Sequence, residues 1–81
     1  MTRYYFDIRD NEGFVRDEIG LELASLDTAK KEAAIALAEL AKETLPGSAT
    51  RTLTIEARDE RGPVLRASLR FDVDQLAPET A

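Results

Sequence analysis

The sequence predicts an α+β fold in the order β-hairpin, one α-helix, β-hairpin (ββαββ), giving a four-stranded, mainly antiparallel sheet with one face covered by the helix. Three observations carry this expectation. Apolar residues alternate with polar ones near both ends of the chain, a stretch rich in Ala, Leu, Lys and Glu fills the middle, and Gly-containing turns separate the blocks. The length of 81 residues accommodates one small domain, assigned to residues 1–73, with 74–81 as a tail expected to be flexible.

The first strand runs over Tyr4-Tyr5-Phe6-Asp7-Ile8-Arg9, with Tyr4, Phe6 and Ile8 on one face and Tyr5, Asp7 and Arg9 on the other. Asp10-Asn11-Glu12-Gly13 has turn chemistry, because short polar side chains bond their own backbone and Gly accepts positive φ; Phe14 to Asp17 returns as the second strand. Asp17 to Leu23 has no clean period and contains Gly20, so it is expected to be an acidic connecting loop. Ser25 or Asp27 caps a helix from about Asp27 to Leu45, and Pro46-Gly47 stops it. Its apolar stripe is Leu26, Ala29, Ala33, Ala36, Leu37 and Leu40, and so many small residues imply a helix lying close against the sheet.

Thr50 to Arg58 and Val64 to Val73 are the third and fourth strands, and their register can be argued. A three-residue loop Glu60-Arg61-Gly62, with Gly62 in the left-handed position, pairs Asp59 with Pro63. Ala57 then faces Leu65, Ile55 faces Ala67 and Leu53 faces Leu69 on the buried side; outside, Glu56 faces Arg66, Thr54 faces Ser68 and Thr52 faces Arg70. The first and fourth strands are the most apolar and are expected at the centre. Both strand orders 2-1-4-3 and 2-1-3-4 remain open.

The chain carries 16 acids against 11 bases, a formal charge of −5, and neither Cys nor His. This composition removes disulfides, thiolate metal sites, the usual imidazole base and any Ser-His triad, and it weighs against a generally basic nucleic-acid surface. Asp10, Glu12, Asp17, Glu18 and Glu22 are spaced like solvated loop charge and do not follow a calcium-loop pattern. No catalytic, cofactor-binding or metal-binding residue is assigned. The polar sheet face is the remaining candidate, with Tyr5, Arg58, Val64, Arg66, Ser68 and Arg70 as partner-binding residues.

The resulting expectation is a small non-catalytic interaction or regulatory module whose partner is a protein, either a second copy or another chain. The alternatives are an RNA-binding module stacking bases on Tyr5 beside the Arg cluster, and a small metal-binding protein or enzyme using the acidic loops. So small a core favours a homo-oligomer, through an edge strand, the open sheet face or the Ile35 side of the helix. No apolar run is long enough to span a bilayer, and a cytoplasmic setting is expected.

Arg3-Tyr4-Tyr5-Phe6, Asp10, Gly13, Asp17, Gly20-Leu21-Glu22-Leu23, Leu26 and the Ala29–Ala33 spacing together resemble the R-Y-Y-F, D-x-x-G, D-x-x-G-x-E-L, L-x-x-A pattern of a family of small alphaproteobacterial proteins known as a domain of unknown function. Members often have His after the R-Y-Y-F run, where this chain has Asp7. The resemblance implies a bacterial origin and carries no activity with it.

Overall fold

A computed structural model describes residues 1–79. The elements are β1 (Thr2–Asp10), β2 (Gly13–Val15), β3 (Leu21–Leu23), α1 (Leu26–Thr44), β4 (Thr50–Asp59) and β5 (Gly62–Asp72). They form one antiparallel sheet of order β2-β1-β4-β5, with β3 also pairing β1, and α1 lies across β4 and β5. This is the α+β arrangement expected, with a fifth strand added.

Ser25 caps α1, its Oγ accepting the Thr28 N–H at 3.2 Å, and Ala29 and Ala33 beneath it are 0% and 1% exposed. Small side chains let the helix approach the sheet closely, so the bulk of the core comes from β4. Leu53 and Ile55 are the largest fully buried side chains. Leu26, expected in the same stripe, lies in the first turn and stays exposed.

Several sequence expectations need correction. The sheet has five strands, because Leu21–Leu23 pairs with Thr2–Tyr4 where a loop was expected. A three-residue strand is too short to show a period; what places it is Gly20, whose φ of +74° lets the chain come against β1. A Cβ on Gly20 would sit 2.9 Å from the Tyr4 carbonyl oxygen, so this approach requires glycine. The second strand also ends at Val15, short of Asp17. Asp17 leaves the ladder because its carboxylate is used elsewhere, as described below.

Of the two strand orders, the antiparallel one is realised, with Phe6 opposite Ala57 and Ile8 opposite Ile55. The most apolar strand of the second hairpin, Val64 to Val73, was expected at the centre and instead forms the edge. Apolar content did not decide this position. β4 supplies both Ala57 under the helix and Arg58 to a buried pair on the opposite face, so β4 is the strand matched to β1 on both sides.

The register of the second hairpin agrees with the sequence argument from Thr52–Arg70 through Ala57–Leu65. Its turn is tighter than expected. Asp59 pairs with Gly62 and Arg58 with Pro63, and a bulge at Ala57/Arg58 takes up Val64 so that the downstream pairs recover their faces.

Candidate functional site

Directly opposed residues in antiparallel strands share a face. The face away from α1 therefore presents Tyr5 beside Arg58, Asp7 beside Glu56 and Arg66, Arg9 beside Thr54 and Ser68, and Thr52 beside Arg70. Each arginine of the expected cluster has its own carboxylate. Arg58 Nε donates to Asp7 Oδ2 at 2.9 Å, Arg66 Nε and Nη2 both donate to Glu56 Oε2, and Arg70 Nε donates to Asp72 Oδ2 at 2.9 Å.

These pairs differ in kind. The Arg58 and Asp7 side chains are only 18% and 7% exposed, whereas Arg66 and Arg70 are 68% and 67% exposed. Arg58 also donates from Nη2 to the Asp17 carbonyl at 2.7 Å and lies 4.5 Å above the Tyr5 ring. Arg58 and Tyr5 thus belong to the framework. Breaking a buried pair on one side leaves an uncompensated charge, while an exposed pair opens at little cost. Arg66, Ser68 and Arg70 form an accessible row along β5, Ser68 Oγ lying 3.3 Å from Thr54 Oγ1, and Val64 stands at the bulge beyond them.

The residues that sequence reasoning missed lie where β2 and β3 meet along β1. β2 pairs with Ile8–Asp10 and β3 with Thr2–Tyr4, so a gap opens between them opposite Phe6. The Asp17 carboxylate fills it. Oδ2 accepts the Phe6 N–H at 3.0 Å, and Oδ1 accepts the N–H groups of Ile19 and Gly20. Asp7 Oδ1 returns the contact by accepting the Asp17 N–H at 2.9 Å. Burial pushes the Asp17 carboxyl up, but the three N–H donors and the Arg58 charge together outweigh it and hold the group below its usual value. The signal was present as Asp-x-x-Gly used twice, since Asp10 Oδ1 likewise accepts the N–H groups of Glu12 and Gly13.

The first turn is also tied down. Asn11 Oδ1 accepts the Thr52 N–H at 3.1 Å, and Arg51 links the Thr44 carbonyl at the end of α1 to Glu12. Asp10 and Asp17 are therefore occupied in turns, and among the described residues no group of three or more Asp or Glu is placed to hold a metal ion. Tyr5, the expected stacking platform for RNA, has Arg58 across its ring. One concave feature is an open apolar cleft of about 560 Å³ between the C-terminal half of α1 and β5, lined by Ala38, Ala41, Leu45, Pro46, Phe71 and Val73.

Fold and face together define a small two-layer α+β module with one polar sheet face open. The chain belongs to the family described as a domain of unknown function, DUF6894, which matches residues 3–70. No curated protein and no solved structure matches it. Among the described residues no helix is long and apolar enough to cross a membrane.

Proposed function

We propose that the chain is a non-catalytic interaction module that docks a protein partner on the outer strand of its open sheet face, with Arg66, Ser68 and Arg70 at the centre, Val64 at the rim, and Arg58 and Tyr5 as the rigid floor. The observation that supports it is the contrast in burial. Arg66 and Arg70 keep two thirds of their side-chain surface in solvent, on a strand paired with β4 without a break from Leu65 to Asp72. A preorganised guanidinium row can exchange its present carboxylates for those of a partner without rearranging the sheet.

Self-association and a cytoplasmic setting form part of this reading, supported by the small core and the cysteine-free composition. The finer kinship, to an alphaproteobacterial group marked by the Arg3-Tyr4-Tyr5-Phe6 run, also belongs to it and is supported by the structural use of Asp10, Gly13, Asp17 and Gly20 in that pattern.

The test is affinity capture from the native host with wild type, an Arg66→Glu/Arg70→Glu variant, and a Glu18→Lys/Glu60→Lys variant, all shown to be folded by circular dichroism. The expected result is a protein partner held by wild type and the loop variant and lost by the arginine variant. Equal recovery by all three removes the docking face, and loss in the loop variant alone moves the site to the acidic loops.

A further inference from the structure

Among the described residues, the outer edge of β5 is the long free edge of the sheet. The Val73 N–H donates to the Ala49 carbonyl at 2.8 Å, one residue beyond the Thr50–Asp72 pair. Hydrogen-bonding direction alternates along an antiparallel strand, so Leu65, Ala67, Leu69 and Phe71 direct their N–H and C=O groups to β4, while Arg66, Ser68, Arg70 and Asp72 direct theirs outward. The other side of β4 agrees with this parity, since Thr52 gives its N–H to Asn11 on the β1 side. The helix face of β5 is apolar and incompletely covered. Leu69 is 36% exposed although its partner Leu53 is 0% exposed, and Val73 is 54% exposed.

We propose that β5 pairs antiparallel with the β5 of a second copy about a two-fold axis through Leu69. The inference rests on the reading of the chain as an interaction module and names a second copy as what this edge binds. The argument for a second copy is the self-complementarity of this register. With Leu69 on the axis, Arg66 faces Asp72 of the second copy and Arg70 faces its Ser68, and these are the residues with outward backbone groups. On the helix face Leu69 meets Leu69, Ala67 meets Phe71 and Leu65 meets Val73, so every pair is apolar and the smallest side chain opposes the largest. Moving the axis to Ser68 sets Arg66 against Arg70, and moving it to Arg70 sets that residue against itself; like charges directly opposed are unfavourable.

The second layer is compatible with this pairing. Strands about 4.8 Å apart place a helix seated over the β4–β5 seam about 5 Å from the axis, so the two helices would run about 10 Å apart, a normal packing distance. The apolar cleft at Ala38, Phe71 and Val73 lies on the β5 side of α1, toward that junction. Two-fold pairing of this kind closes the edge on both copies.

Two experiments test the proposal on the full chain. Sedimentation equilibrium is expected to show wild type at twice the 9.0 kDa chain mass. Arg66→Asp alone and Asp72→Arg alone are each expected to weaken the dimer about tenfold or more, and an equimolar mixture to restore it, because each reversed charge then meets its complement. Failure of the mixture to recover overturns the register. The chain has no Cys, so single cysteines report on the axis directly. Leu69→Cys is expected to form a covalent dimer faster than Ser68→Cys or Val15→Cys, since a non-hydrogen-bonded antiparallel pair has Cα atoms about 4.5 Å apart, within disulfide reach. Equal rates for the three, or a wild type that stays at 9.0 kDa at high concentration, overturn the proposal. Leu69→Lys keeps the arginine row while blocking the axis. If it captures the docking partner as wild type does, the interaction module survives whatever happens to the dimer.

Discussion

The two edges of this sheet are built in opposite ways. On one side β1 is flanked by two three-residue strands, with the break between them stapled by Asp17, Asp7 and Arg58. On the other, β5 runs as an eleven-residue strand with a row of apolar side chains beside it and unpaired backbone groups outside. Short, interrupted edges discourage strand addition, and long continuous ones invite it. The comparison teaches that carboxylates at the closed edge accept backbone N–H groups and a buried guanidinium, whereas the carboxylate on the open edge, Asp72, is held only in an exposed pair with Arg70.

Large effects are expected at the closed edge. Asp17→Ala removes the acceptor of the Phe6, Ile19 and Gly20 N–H groups and is expected to cost about 3 kcal/mol in urea unfolding. Gly20→Ala, forced against the Tyr4 carbonyl at positive φ, is expected to cost about 2 kcal/mol or more. Both variants should leave the affinity of the proposed dimer unchanged under conditions where they remain folded; a parallel loss of association would show that the two edges are coupled.

Proline sharpens the contrast at the open edge. Leu69→Pro deletes a donor to β4 and is expected to cost about 3 kcal/mol, whereas Ser68→Pro deletes an outward donor and is expected to cost about 1 kcal/mol in the monomer while weakening self-association. Equal costs would mean that the inferred parity of β5 is wrong.

A smaller effect is expected in acid. The Asp17 carboxyl lies below its ordinary value of 3.8 when folded, so between the folded and unfolded values the unfolded chain binds more protons, and folding stability rises with pH across that range. Stability is therefore fully present above about pH 4 and is lost as pH falls through the lowered folded value. Asp17→Asn should flatten that part of the acid titration followed by circular dichroism; an unchanged profile would place the acid sensitivity elsewhere. The smallest effect belongs to Arg70→Ala, which opens an exposed pair with Asp72 and should change unfolding by no more than about 0.5 kcal/mol.

Legibility of the fold in the sequence followed the length of the signal. The second hairpin could be aligned pair by pair because strands of ten and eleven residues alternate long enough for a one-residue slip to reverse every side chain. The helix and its Ser25 cap were readable for a similar reason. β3 was not, because three residues have no period and its place depends on a backbone contact at Gly20 with a strand sixteen residues away. The arginine row was visible as a pattern, but its division into a buried Arg58 and exposed Arg66 and Arg70 was not. That division depends on Asp7, which alternation placed on the solvent face and which is buried, its carboxylate accepting the Asp17 N–H.

The position of β1 also sets an order of events. Its partner β4 begins at Thr50, so as the chain is synthesised from its N-terminus the first strand and the helix exist before the strand that joins them. Ala29 and Ala33 have no surface to cover until Leu53 and Ile55 arrive, and the first hairpin alone is too small to hold itself together. Maturation of this domain therefore waits for its last hairpin, and a chain halted before residue 59 is expected to be recognised by the cell's quality control as unfolded.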